Sequence, residues 1–173
     1  MNSMMQLNTK RVLASLEQIE LAIDDVCQQL EVEGTAAYFI TLAISELASN
    51  MIRHGKQDNE QKDDLNVEAF ASDDSLIIIL EDSCKPLSNT VIRQLVERDG
   101  TIAQYDTSIP NIPESGWGLD LIHNAASSVS YCRTDERNVY ELAFKIEAKP
   151  AGNDDIHDLY NSFMNDFPEQ KSL

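Results

Sequence analysis

Positive charge is scarce in this chain. Thirteen lysines and arginines stand against 30 aspartates and glutamates, a formal net charge of −17 over 173 residues. A surface this acidic repels phosphate backbones and anionic headgroups, which argues against direct nucleic-acid or membrane-surface binding. Cysteine is equally sparse. Cys27, Cys84 and Cys132 form an odd, widely spaced set with no CxxC pair, a pattern of free thiols in a reducing cytosol rather than of disulfides or a zinc site. No run reaches the roughly 18 apolar residues of a membrane span. The opening MNSMMQLNTKRVL has no apolar core and no small-residue cleavage site, so it does not read as a signal peptide. Internal repeats and low-complexity tracts are absent too. What is present is a globular-average composition, 42% hydrophobic and 25% charged, at the length of one domain. The expectation is a soluble, acidic, cytoplasmic, single-domain protein.

Hydrophobic periodicity divides the chain. A weak strand signal lies around Met4–Leu7. From Thr9, the residues Leu13, Leu16, Ile19, Ile23, Val26 and Leu30 recur at three- and four-residue steps and predict an amphipathic helix. Gly34 interrupts it, and Thr35 can cap a second helix running to about His54, closed by Gly55. After a polar loop over 55–64 come two strand-like runs, Leu65–Ala71 and Ser75–Glu81, the second nearly continuous in β-branched residues. The stretch between Asp82 and Gly116 is irregular except for a short helical pattern at Asn89–Glu97, and its length is that of a functional lid. A helix over Leu119–Ala126 and a hairpin of strands, about Ser128–Arg133 and Asn138–Ile146, complete the domain. Antiparallel hairpins with helices gathered on one face imply an α+β two-layer sandwich. Beyond Pro150, the residues Ile156, Leu159, Tyr160, Phe163, Met164 and Phe167 fall at helical spacing in an acidic tail. It reads either as a docked terminal helix or as a docking segment for a partner. The expected organisation is a domain over 1–149 and an extension over 150–173.

Three short segments carry chemistry. In SELASNMIRHG, Glu46 and Asn50 are four apart and share a helix face beside the apolar stripe of Ile40, Ile44, Leu47 and Met51. An amide oxygen can ligate Mg²⁺ beside phosphate oxygens, and a carboxylate can accept a proton from an attacking hydroxyl; the same spacing also occurs on solvated helix faces. In EDSCKP, Asp82 stands where a buried strand emerges. There it can accept a hydrogen bond from an exocyclic amine, or simply open a turn. In ESGWGLDLI, Gly116 and Gly118 precede a helix, which allows close approach of an anion to N-terminal amides or marks a lid hinge.

The order and spacing of these segments resemble the GHKL (Bergerat-fold) ATPases, and within them the bacterial anti-sigma-factor serine/threonine kinases, over roughly residues 10–147. ELASNMIRHG looks like that family's N-box, EDSCKP like the segment around its adenine-binding aspartate, and ESGWGLDLI with the closing hairpin like its glycine box and last strands. The resemblance implies a Bergerat sandwich: a mixed, mostly antiparallel sheet, helices on one face and an ATP lid. It implies Mg²⁺ and ATP as cofactors, Asn50 as the Mg²⁺ ligand, Glu46 as catalytic base and Asp82 as acceptor from the adenine amino group. Arg53, His54, Cys84, Gly116, Trp117, Gly118 and Leu119 would surround the nucleotide. The implied partners are a STAS-domain anti-anti-sigma protein, which would be phosphorylated, and a sigma factor or similar regulator, which would be sequestered. A homodimer involving the first helix is part of the same expectation. One position departs from the pattern, because Cys84 stands where the family's DxG motif has glycine. A positive φ there, or contact with the base, would make that side chain costly. The alternative function is therefore a Bergerat-fold module that binds partners without using nucleotide.

Overall fold

The computed structural model of the protein describes residues 2–32, 34–55, 64–72, 74–97 and 117–146. Strand β1 (Asn2–Lys10) leads through a single 3-10 turn (Leu13–Ser15) into helix α1 (Leu16–Gln29), followed by α2 (Gly34–His54). Strands β2 (Asp64–Ala71) and β3 (Ser75–Asp82), helices α3 (Asn89–Val96) and α4 (Trp117–Ala125), and strands β4 (Ser128–Thr134) and β5 (Arg137–Lys145) complete the order. The five strands line up as β1-β2-β3-β5-β4. Each pairing is antiparallel, so the expected mixed sheet is antiparallel throughout the described residues.

Period-two alternation sets the inner face. Leu65, Val67 and Ala69 of β2, Leu76, Ile78 and Leu80 of β3, and Tyr140, Leu142 and Phe144 of β5 are buried. They meet Ile19, Ile23 and Val26 of α1, Ile40, Ile44, Leu47 and Met51 of α2, Leu95 of α3 and Ile122 of α4 in one core. The helices thus cover one face of the sheet, giving an α+β two-layer sandwich. By length and composition alone, the 21 residues of α2 could cross a membrane. Here α2 is a core helix, with Ile40, Ala43, Ile44, Leu47, Ala48 and Met51 buried in the sandwich.

The N-terminal helix starts later than its periodicity predicts. Thr9 and Lys10 pair with Leu65 and Asp64 at the end of the β1–β2 ladder, and the Thr9 hydroxyl bonds to Ser15 Oγ and Gln18 Oε1. Sheet pairing therefore holds the chain extended to Lys10, and Leu13 drops out of the apolar stripe with half its surface exposed. The rest of that stripe is consumed by the protein's own core. On α1 itself only Leu21, at 63% exposure, is a large exposed hydrophobe.

The predicted β4–β5 hairpin turns at Asp135 and Glu136, with φ of 49° and 66°, the left-handed pair that suits the twist of a two-residue hairpin. Arg137, just past the turn, donates to Asp64 (2.9 Å) and Glu81 (3.1 Å) and clasps β2, β3 and β5 together. Burial opposes ionisation of Asp64, but its hydrogen bonds and the charge of Arg137 hold its carboxyl below the usual carboxylate range. The tail over 150–173, with its six apolar residues at helical spacing, lies outside the described residues.

Candidate active site

Helix α2 carries Glu46 and Asn50 one turn apart, both half-buried at the rim of its core stripe. It is anchored to α1 through Ser45 Oγ donating to Glu20 Oε1 and Thr41 Oγ1 donating to Asp24 Oδ1. At its other end a helix leaves carbonyls without intrahelical partners. Arg11 fills that need. Only 8% exposed, its Nη1 lies within hydrogen-bond distance of the carbonyl oxygens of Met51 (3.0 Å), Ile52 (3.2 Å) and Gly55 (3.1 Å). Arg53 and His54 are exposed on the last turn of α2, three and four residues beyond Asn50.

Gly118 brings α4 onto these residues. A Cβ at this position would lie 2.8 Å from Glu46 Oε2 and 3.6 Å from Asn50 Nδ2, so the glycine is what permits the approach. The other end of α4 is buried through Ile122, and His123 Nε2 lies 2.7 Å from the carbonyl oxygen of Leu95 on α3. The first turn of α4, where amides lack intrahelical acceptors, therefore sits beside the Glu46 carboxylate and the Asn50 amide. Leu119 packs against the core. Gly116 and the side chain of Trp117 lie outside the described residues.

Asp82, 1% exposed, closes β3 opposite Asn138. Its Oδ1 accepts from the Cys84 amide (2.9 Å) and from Asn138 Nδ2 (2.7 Å). Its Oδ2 has no hydrogen-bond partner. Asn138 is fully engaged. Its Nδ2 also lies near the carbonyl oxygens of Cys84 (3.3 Å) and Lys85 (3.2 Å), and its Oδ1 accepts from Tyr131 Oη and Arg133 Nη1, each at 2.8 Å. Arg133 donates further to the Cys84 carbonyl (2.8 Å), and Tyr131 Oη accepts from the Leu87 amide (3.2 Å). The loop after Asp82 is thus pinned along the closing hairpin, which leaves one carboxylate oxygen buried and free to accept.

None of Asn138, Arg133, Tyr131 or Arg11 is apparent from the motifs. Asn138 did leave a signal: it occupies the inward phase shared with Tyr140, Leu142 and Phe144, where a polar side chain implies a buried partner. Arg11 left none.

Cys84 occupies its glycine-like position without backbone strain, since it is not among the positive-φ residues. Its thiol turns onto α2. A Cβ on Gly55 would lie 2.7 Å from Cys84 Sγ, so a residue without a side chain accepts the sulfur. Cys27 is also buried, and burial, reinforced by Asp24, pushes its thiol up to about 11. Cys132 is exposed on β4. Native protein treated with a thiol reagent at pH 8 is expected to react promptly at Cys132 alone, and Cys27 and Cys84 to react on unfolding. Prompt reaction of a second thiol in a Cys132→Ser variant would contradict the buried placement of the other two.

These residues fit a nucleotide. The orphaned Asp82 oxygen suits an exocyclic amine, and the Gly118 approach leaves helix amides beside a carboxylate and an amide. Among the described residues no group of three or more His, Cys, Asp or Glu could hold a metal. The fit for Mg²⁺ is accordingly one amide ligand with phosphate oxygens and water completing the shell, which is the habit of that ion.

Fold and site together define an α+β domain with paired helices over an antiparallel sheet and a candidate site whose chemistry suits a nucleotide. Residues 10–144 match the histidine kinase-like ATPase domain family, and the chain belongs to that family. Among solved structures, the RsbU and RsbW domains of Rv1364c from Mycobacterium tuberculosis are similar, with a TM-score of 0.56 at 13% identity. That match covers 88% of this chain and 35% of the other, so this chain spans about a third of that protein's length. The SiaB–SiaC complex from Pseudomonas aeruginosa gives a TM-score of 0.54 at 18% identity, covering 84% of this chain and 91% of that one. No curated protein matches the sequence.

Proposed function

We propose that this chain is an anti-sigma-type serine/threonine protein kinase. In this reading, residues 1–149 bind Mg·ATP and 150–173 form an acidic extension, in the cytoplasm. The kinase phosphorylates a STAS-domain anti-anti-sigma protein and sequesters a sigma factor or similar regulator by partner switching. The observation that carries the nucleotide part is the unpartnered, buried Oδ2 of Asp82, held at the end of β3 beside a loop that cross-strand hydrogen bonds immobilise. The partner part draws on the sequence resemblance and on the similar SiaB, whose structure is that of a complex with SiaC.

Within this reading each residue has a task. Asp82 Oδ2 accepts from the adenine amino group. The first turn of α4 faces the phosphates with its free amides. Asn50 would hold Mg²⁺, which supplies neutralisation of phosphate charge when bound. Glu46, on the same face of α2, accepts the proton of the attacking serine or threonine hydroxyl. Phosphoryl transfer needs chiefly this positioning and charge stabilisation. Arg53 and His54 extend the polar face of α2 beyond Asn50, and Gly116 and Trp117 keep the nucleotide-lining roles that the sequence resemblance implies. Cys84 packed on Gly55 answers one of the two grounds for the nucleotide-independent alternative, the cost of a side chain at that position, and the acidic tail is the other. A homodimer would draw on Leu21 and Leu13, the exposed leucines of the N-terminal helical region.

The test is transfer of labelled phosphate from ATP with Mg²⁺ to STAS-domain proteins encoded in the same genome. Wild type is expected to label one of them on an acid-stable serine or threonine, and Glu46→Gln to label it about 100-fold more slowly, within the usual range for loss of a general base. Acid-labile product would place the phosphate on histidine instead. Equal labelling by Glu46→Gln would remove Glu46 from the chemistry. Binding of a STAS protein with no labelling, at a strength indifferent to ATP, would support the partner-binding alternative.

A further inference from the structure

Two tyrosines stack beside the Asp82 loop, and the structure treats their hydroxyls differently. Tyr131 and Tyr140 face each other on β4 and β5, with ring centroids 5.3 Å apart and planes at 60°. The Tyr131 hydroxyl is spent, donating to Asn138 and accepting from the Leu87 amide. The Tyr140 hydroxyl makes no hydrogen bond among the described residues, although the residue is only 3% exposed. Its oxygen is not among the fully buried unpartnered atoms, so it keeps a surface that a ligand can reach.

Its position supplies a reason. Tyr140 pairs with Leu80, and Asp82 pairs with Asn138, two residues along the same ladder. All four side chains lie on the inward face, so Tyr140 is the diagonal neighbour of Asp82. The negative charge of Asp82 reaches it: burial first, and then Asp82, push the Tyr140 hydroxyl above its ordinary value, so it keeps its proton throughout the working range. One end of the sheet therefore presents two groups of opposite character, a buried carboxylate oxygen without a partner that can only accept and a phenol that can donate.

We propose that Tyr140 is a specificity-determining residue that reads the ring nitrogen adjacent to the amino group accepted by Asp82. The proposal rests on the nucleotide reading above and deepens it. Adenine presents on one edge an amino donor (N6) next to a ring acceptor (N1), the complement of an acceptor beside a donor. Guanine inverts that order, with an oxygen acceptor next to a ring N–H, so it leaves Asp82 facing an oxygen. The Asp82–Tyr140 pair thus selects adenine through two contacts rather than one.

The experiment compares binding of ADP and 1-deaza-ADP, in which N1 is replaced by C–H, to the wild-type chain and to Tyr140→Phe, with Mg²⁺ present. Wild type is expected to prefer ADP by about tenfold, the scale of one hydrogen bond made in a buried site. Tyr140→Phe is expected to lose about that factor for ADP while binding 1-deaza-ADP as wild type does. Equal affinity of wild type for the two ligands overturns the assignment and needs no variant to be informative. Loss of affinity for both ligands alike in Tyr140→Phe also overturns it, because Tyr140 would then merely prop Asp82. Failure of wild type to bind ADP, ATP or 1-deaza-ADP is a different result: it sinks the nucleotide reading, and the Tyr140 assignment with it.

Discussion

Asp82→Asn is expected to weaken ATP binding by about 100-fold while leaving the domain folded. The substitution changes one atom, and the hydrogen-bond pattern leaves that atom no good place. Oδ1 of Asp82 receives two N–H donors, from the Cys84 amide and Asn138 Nδ2. An asparagine must keep its oxygen there, or set its own amino group against two donors. Its amino group then occupies the Oδ2 position and opposes the adenine amino group, donor against donor. The loss combines a missing hydrogen bond to a charged acceptor with an unpaired buried donor, each worth roughly 1–3 kcal/mol. Calorimetric titration with Mg·ATP reads the affinity, and chemical denaturation reads the fold, in which a neutral amide still satisfies the Cys84 and Asn138 donors. Wild-type affinity in the variant would mean that the orphaned oxygen does not meet the base. Asn138→Ala would act on the same contact from behind, by releasing the loop that presents it.

The parts of this molecule legible in the sequence are those governed by local periodicity. The nearly continuous apolar run over 76–80 and the 3.6-residue stripe of Ile40, Ile44, Leu47 and Met51 announce a buried strand and a core helix, and both are there. The hairpin turn at Asp135-Glu136 is marked by its polar cluster. Long-range pairing was harder to read. Thr9 and Lys10 carry the start of a helical pattern, but their ladder partners Leu65 and Asp64 lie more than fifty residues away, and no local signal weighs that pairing against a helix turn. The site divides in the same way. Glu46, Asn50, Asp82 and Gly118 are readable because short motifs hold them. The Tyr131–Asn138–Arg133 network that fixes Asp82, and the Arg11 side chain that closes α2, act through side chains brought together by the fold. Cys84 illustrates the limit most clearly. Its identity breaks a motif, yet the position that receives its sulfur, Gly55, lies 29 residues earlier.

Gly118→Ala is expected to separate stability from activity. The added Cβ would lie 2.8 Å from Glu46 Oε2, closer than carbon and oxygen can remain, so something must move. What moves is the far end of a flexible, half-buried side chain, and the fold therefore yields at little cost. In the first turn of a helix, alanine also recovers part of the roughly 0.5–1 kcal/mol by which glycine disfavours helical backbone. Stability by denaturation is thus expected within about 1 kcal/mol of wild type. Phosphotransfer is expected to fall by about 100-fold, because the displaced atom belongs to the proposed base, and a misplacement on the order of 1 Å carries that penalty. Gly55→Ala supplies the contrast. Its Cβ would meet the Met51 carbonyl oxygen of the backbone as well as Cys84 Sγ and Arg11 Nη1, three atoms that cannot all withdraw, and stability itself is expected to drop. Measuring both variants by denaturation and by labelling of the proposed STAS-domain substrate distinguishes a glycine that protects the geometry of Glu46 from one that protects the packing of α2. If Gly118→Ala retained full transfer rate, Glu46 could not be the base in the position the structure gives it.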